Sequence, residues 1–179
     1  MSIPSTHLRG RKLVSVRRQD IDDYGVQGFL VGLSEALLAL EHVYDFQVDG
    51  ILVLRRSDIT EVKCTATDAF QESLMKREGI VPGSQAPSPL ALETWRALIE
   101  QLAGSHPFLA LEQELGPEPQ LSIGRVVSVE AQHVEFQCFS GTGKWQSKPD
   151  RIKYAHLTSA QANTRYLRFY QRHLLPEAC

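Results

Sequence analysis

The sequence VQGFLVGLSEALLALEHV, residues 26–43, decides the fold. It contains two apolar runs separated by the short break Ser34, Glu35 and Ala36, which predicts two strands joined by a tight reversal. A β-prone segment precedes it at residues 12–17, and two more follow at 51–55 and 59–63. The first part of the chain is therefore expected to contain five strands.

The same pattern returns in LSIGRVVSVEAQHVEFQCF, residues 121–139. Each copy opens on a glycine inside an apolar run, and each ends in a strand-like phrase, RRSDITEV or KYAHLTSA, that leads into an amphipathic helix. The identical positions are few: Leu13/Leu109, Gly28/Gly124, Val31/Val127 and Thr60/Thr158. Matched periodicity at this spacing indicates an internal duplication.

A linker-like segment divides the chain into two units. Residues 80–89 are rich in Pro, Gly and Ser, as linkers are. We predict a first domain at residues 1–79, this linker, and a second domain at 90–179. The second copy has its own strand patterns at 108–115, 123–130, 134–139, 151–154 and around 157. The expected fold is mainly β with flanking helices (α+β).

Three amphipathic helices are predicted from apolar positions at helical spacing. The first covers residues 67–77, with Phe70, Leu74 and Met75 on its buried side. The second begins at Ser88 and Pro89 and ends at Gly104. The third covers residues 160–174, with an apolar side formed by Tyr166, Phe169, Tyr170, His173 and Leu174.

Composition is that of a globular protein, with 42% hydrophobic and 22% charged residues. No apolar run approaches the roughly 20 residues of a membrane helix, and the first residues lack the apolar centre of a secretory signal. We expect a cytoplasmic protein with no membrane association.

The net charge of −2 conceals an asymmetry between the two parts of the chain. Residues 1–120 carry 11 Lys+Arg against 17 Asp+Glu, whereas residues 121–179 carry 8 Lys+Arg against 4 Asp+Glu.

Catalytic and metal-binding patterns are absent from the sequence. The six histidines are scattered, the three cysteines lie far apart without a CxxC, and no nucleophile, base and orienting group occur in a recognised order. We therefore predict a protein that is not an enzyme and that has no catalytic residue, metal or cofactor.

The phrase LVLRRSDITEV, residues 52–62, resembles the second sequence motif of the Sm-like proteins (LSm), in which an apolar strand runs into Arg-Gly and then into a fifth strand. Arg55 matches the family's arginine, but Arg56 stands in place of its glycine. Ser34 stands where the family has an aspartate, and Leu37 or Leu38 where it has the asparagine that reads uracil. The corresponding residues of the second copy are Glu130, His133 or Val134, Lys153 and Tyr154.

This resemblance implies two tandem five-stranded Sm-like barrels, each followed by an amphipathic helix; a general SH3-like small barrel fits almost as well. Sm-like proteins typically assemble into rings through edge strands and bind single-stranded RNA at the loops between strands two and three and between four and five. The resemblance therefore makes RNA a candidate partner. The loop residues it implicates are Arg55, Arg56, Lys153, Tyr154, His133 and His156.

A second basic stretch, SGTGKWQSKPDRIK at residues 140–153, places an aromatic residue among cations, as in surfaces that bind single strands. Together the two stretches predict a nucleic-acid site comprising Arg55, Arg56, Lys144, Trp145, Lys148, Arg151, Lys153 and Tyr154.

Two other functions remain open at this point. One is a protein interaction or self-association module that uses sheet edges and helix faces, without nucleic acid. The other is a sensor that holds a small molecule or peptide between the two units, since pockets often form at domain interfaces.

Overall fold

A computed structural model of the chain describes residues 8–18, 20–21, 25–83 and 89–174. The first five strands are β1 Leu13–Arg18, β2 Val26–Leu33, β3 Leu37–Tyr44, β4 Gln47–Arg55 and β5 Ile59–Lys63. The second five are β6 Leu109–Gln113, β7 Gln120–Val129, β8 His133–Cys138, β9 Asp150–Lys153 and β10 Ser159–Ala162. Three helices of ten or more residues are α1 Ala66–Arg77, α2 Trp95–Ser105 and α3 Arg165–Leu174. Most strands lie close to where periodicity predicts them, but β10 occupies residues 159–162, where the sequence predicts the start of the last helix, and that helix begins only at Arg165.

All ten strands belong to one antiparallel sheet in the order β5-β1-β2-β3-β4-β10-β6-β7-β8-β9. The prediction of two separate five-stranded barrels is therefore wrong. The sheet is open, with β5 and β9 as its outer strands. The halves join where β10 pairs with β4, with Ala160 opposite Val53 and Ala162 opposite Ile51. Strand β4 therefore pairs with β3 of its own half along one edge and with β10 of the other half along its second edge.

The two halves nevertheless repeat the same strand order: fifth, first, second, third, fourth. Gly28 and Gly124 have the same structural role, because a Cβ would lie 2.7 Å from the Glu41 carbonyl oxygen in the first case and 2.0 Å from that of Gln137 in the second. Three residues after each glycine the register shifts by one. These shifts fall at Val31 and Val127, so two of the matched positions mark equivalent bends.

The pairing corrects a third matched position. Gly28 lies opposite Val14, whereas Gly124 lies opposite Leu109. Val14, and not Leu13, is therefore the counterpart of Leu109.

The largest apolar cluster lies at the junction of the halves. It combines Ile51 and Val53 of β4 with Leu109 and Leu111 of β6, and α2 covers it with Leu98, Ile99 and Leu102. These side chains are almost wholly buried, and each such burial contributes about 1.5–3 kcal/mol. The junction is thus part of the core of both halves.

Helix α1 contacts the sheet through two carboxylates and one apolar residue. Met75 is buried against Leu13 and Phe29 as predicted, but Asp68 and Glu72 are buried too, and Phe70 is 61% exposed, so the predicted apolar face is only partly right. Asp68 accepts hydrogen bonds from Ser15 and Gln27 and closes a capping box with Thr65. Burial alone would raise the pKa of Asp68, but the hydrogen bonds from Gln27, Thr65 and Ser15 outweigh it and lower that pKa.

Glu72 attaches the next turn of α1 to the first strand. It accepts hydrogen bonds from the backbone N–H of Leu13 and from Lys12 and Lys76. Burial opposes ionisation here as well, and the bonds from Lys76, Leu13 and Lys12 hold the pKa of Glu72 below its ordinary value. Two ionised carboxylates therefore fix α1 to β1 and β2.

The predicted apolar side of helix α3 is only partly right, because Tyr170 and Leu174 pack against the core but other members of that side do not. Leu167 is its buried residue, while Tyr166 is 51% and Phe169 is 56% exposed. Among the residues described, no helix has the length and apolar character needed to span a bilayer. Residues 84–88 of the predicted linker, with Ser88, lie outside the described residues, and the domain boundary stays a prediction.

Candidate functional site

A cleft of about 680 Å³ opens where the two halves and α2 meet. That volume is within the usual range for ligand sites, about 300–1,000 Å³. Its walls come from the β2–β3 reversal, the end of β4, the start of α2 and the turn that precedes β10. The residues that give it chemical character are Glu35, Arg55, Glu93, Trp95, Arg96 and Tyr154.

Equivalent loops of the two halves build this cleft. The N–H of Arg56 donates to the Ala36 carbonyl, and the N–H of Tyr154 donates in the same way to that of Gln132. Each bond joins a short 3₁₀ turn, Arg56–Asp58 or Tyr154–His156, to the neighbouring hairpin. The sheet junction brings these repeated turns together, which the resemblance alone does not predict.

Arg55 crosses from one half to the other. Its Nε lies 2.9 and 2.8 Å from the two carboxylate oxygens of Asp58, and its Nη1 donates to the Ala155 carbonyl at 3.1 Å. Asp58 therefore neutralises much of the charge of Arg55. The Nη2 of Arg55 has no hydrogen-bond partner among the described residues. Arg56 donates to the Ser34 carbonyl at 2.7 Å and pairs with Glu35 at 3.0 Å.

Tyr154 supplies an aromatic wall. Its hydroxyl donates to the Glu130 carbonyl at 3.1 Å, which fixes the ring. Burial raises the pKa of Tyr154, while the charge of Arg96 acts in the opposite direction. The hydroxyl is therefore protonated at neutral pH, and the ring is a neutral surface beside a cation.

The start of α2 contributes Trp95 and Arg96 to the cleft, and the sequence did not indicate either as a site residue. The helix begins at Trp95, capped by Thr94, whose hydroxyl accepts from the Ala97 N–H at 3.2 Å. The predicted start at Ser88 and Pro89 is therefore wrong. Thr94 as an N-cap is the signal that locates this end and places Arg96 at the cleft. Arg96 is exposed and has no hydrogen bond or ion pair with any described residue.

Of the eight predicted residues, Arg55 and Tyr154 line the cleft, and the other six, Arg56 included, lie outside it. Trp145 packs on Phe108 and Phe139, with ring centroids 5.7 and 5.3 Å apart, and Arg125 lies 4.9 Å above its ring. Arg151 pairs with Glu135 at 3.2 Å. The remaining three residues are exposed cations on or near β9: Lys144, Lys148 and Lys153. The structure thus does not bring the eight predicted residues together into one surface.

The buried thiol of Cys138 is poorly suited to nucleophilic chemistry. Burial, with a hydrogen bond to Asp150, raises its pKa to about 11, so it is protonated at neutral pH. Within the described parts of the chain, His, Cys, Asp and Glu side chains form no group of three or more that could hold a metal ion.

No protein-family model, curated protein or solved structure matches the chain.

Proposed function

We propose that this protein is a non-enzymatic binding module that holds an unpaired nucleotide of single-stranded RNA in the cleft between its halves. One observation carries the proposal: Arg55 and Tyr154, which come from equivalent loops of different halves, converge there with Arg96.

The chemistry of the cleft suits a nucleotide. The ring of Tyr154 offers a face on which an unpaired base stacks, which contributes about 1–3 kcal/mol per base. Arg96 and the Nη2 of Arg55 are positioned at the same cleft to contact phosphate, and an arginine prefers such bidentate or planar contacts. Leu37 and Trp95 add an apolar part to the lining, which suits the face of a base.

The charge balance predicts a small electrostatic contribution. Glu35 and Glu93 lie on the same cleft as the two arginines, and Asp58 already pairs with one of them. Two phosphate contacts give a slope of about −1.4 in log affinity against log salt, or about a sevenfold loss between 50 and 200 mM. Stacking is then the main source of affinity.

Fluorescence anisotropy with labelled oligo(U), oligo(A) and an RNA duplex at these two salt concentrations tests the proposal. Tyr154→Ala should weaken single-strand binding at least about fivefold. Arg96→Ala should weaken it and make the salt slope shallower by about 0.7.

Two controls accompany these variants. Tyr154→Phe keeps the stacking ring without its hydroxyl and should keep most of the affinity. Arg77→Ala removes an exposed cation at the end of α1 and should bind as the unmodified protein does. The proposal fails if no oligonucleotide binds, if duplex binds as well as single strand, or if Arg77→Ala has the same effect as Arg96→Ala.

A further inference from the structure

Helix α3 lies far from the cleft, at the other end of β4. The N–H of Arg165 donates to a carboxylate oxygen of Asp49, and its Nη2 donates to the side-chain oxygen of Gln47 at 3.2 Å. Gln47 begins β4 and Arg55 ends it. At about 3.3 Å per residue, these two ends are roughly 26 Å apart.

Exposed rings form an ordered array along α3. The ring of Tyr166 contacts that of Tyr170 at a tilt of 53°, with centroids 5.0 Å apart, and Phe169 lies 4.9 Å from the ring of His173. Tyr170 contacts Phe139 of the core at 5.0 Å, which anchors the array. The helix itself is held by buried Leu167. Tyr166 and Phe169 are half exposed, so their rings remain available to a ligand.

The same helix is rich in positive charge, although the Asp49 carboxylate lies at its first residue. Its ten residues contain Arg165, Arg168 and Arg172 and no acidic residue. None of these three arginines pairs with a carboxylate in the described portion of the chain. Arg172 lies 5.5 Å above the ring of Phe169, and Arg168 donates to the Asn163 carbonyl. Elsewhere, several arginines do pair with carboxylates: Arg18, Arg55, Arg56 and Arg151.

We propose that α3 is a second contact surface for single-stranded nucleic acid, separate from the cleft. Bases stack on Tyr166 and Phe169, and the arginines contact the phosphates on either side, which is how aromatic and cationic groups combine in single-strand sites. The proposal extends the proposed function, because one strand would then contact the cleft and α3 together.

The length of the oligonucleotide distinguishes binding at one site from binding at both. At about 3.4 Å per stacked nucleotide, a 4-mer spans roughly 14 Å and contacts one site, whereas a 16-mer spans roughly 54 Å and reaches both. Bridging raises affinity without new contacts, typically by about 10²-fold or more. Labelled U4 and U16 are therefore titrated against the full chain and its variants.

Tyr166→Ala with Phe169→Ala should weaken U16 binding about tenfold or more. The matched control is Tyr166→Phe with Phe169→Tyr, which keeps both rings and should bind U16 unchanged. Circular dichroism of each variant checks that α3 and the sheet are intact.

The outcomes distinguish the two sites. If the α3 variant loses U16 affinity while Tyr154→Ala has no effect, the α3 surface stands and the cleft proposal fails. If only Tyr154→Ala has an effect, the α3 proposal is overturned. It is also overturned if duplex RNA or poly-glutamate binds α3 as tightly as U16, since that indicates a general charge effect or an acidic protein partner.

Discussion

The ion pair between Arg18 and Glu114 links the two halves and gives a quantitative test of the fold. Arg18 ends β1 and is 5% exposed. Its two terminal nitrogens donate to the two carboxylate oxygens of Glu114 at 2.6 and 3.0 Å. The same carboxylate accepts from the Thr158 hydroxyl at 2.6 Å. Ninety-six positions separate the two charged residues in sequence.

Removing Glu114 should destabilise the fold, because the buried guanidinium of Arg18 loses two short hydrogen bonds to a carboxylate of the other half. Breaking a buried pair in this way costs about 3–5 kcal/mol, and the Glu114 side chain keeps 19% exposure, so we expect a value near the lower end, about 3 kcal/mol. Thr158→Val removes the hydroxyl that donates to this carboxylate but keeps the ion pair, and it should cost about 2 kcal/mol, as loss of a hydrogen bond to a charged group does.

Urea unfolding followed by tryptophan fluorescence and by circular dichroism measures these values. We expect one cooperative transition with both probes, because the ion pair and the β4–β10 pairing connect the halves. Arg18→Leu combined with Glu114→Leu should recover much of the loss from either single change, since two well-packed apolar residues replace a buried pair at little cost.

The reasoning is refuted if Glu114→Ala costs under about 1 kcal/mol, or if the effects of the two leucine changes simply add. Two separate unfolding transitions would equally contradict a shared core.

Two further predictions concern the first helix and the outer strands. Because the folded pKa values of Asp68 and Glu72 are lowered, the stability they contribute is present above their unfolded pKa values, near 4, and is lost as pH falls through the folded values. Thermal melts should therefore drop steeply below about pH 4, and less steeply for Asp68→Asn with Glu72→Gln; equal slopes would contradict this. In β9, Asp150 and Arg151 occupy the positions that apolar residues fill in β4, and charged edges resist pairing. Light scattering should find the unmodified chain at its monomer mass of 20.1 kDa, and Asp150→Leu with Arg151→Val should self-associate; an unchanged mass for that variant counts against edge protection by charge.

Several local features of the fold were predictable from short stretches of sequence. Alternating and continuous apolar runs located most of the strands, because side-chain direction repeats every two residues along a strand. The short strand β10, Ser159–Ala162, has no such run and was not located. Gly28 and Gly124 were matched by pattern alone, and both prove to lie where a neighbouring backbone approaches too closely for a side chain. The positions of Arg55 and Tyr154 at the ends of fourth strands were likewise readable in the sequence.

The faces of the helices were not predictable in the same way. An apolar stripe indicated that Phe70 and Phe169 pack on the sheet, yet both are exposed. Opposite α1 the sheet presents Ser15, Gln27 and the backbone N–H of Leu13. These donors form hydrogen bonds with Asp68 and Glu72, so the carboxylates face the sheet. Which side of an amphipathic helix is buried depends on the groups opposite it, and those groups belong to strands far away in the chain.

By itself, then, the sequence determined most of the strands, the repeated unit and the turns beside Arg55 and Tyr154, since each depends on neighbours only a few residues apart. Only the tertiary structure decided that β10 pairs with β4 and that α2 places Arg96 at the junction. An unpaired strand edge presents the same backbone groups to every candidate partner, so the choice between closing each half and joining both rests on packing across more than a hundred residues.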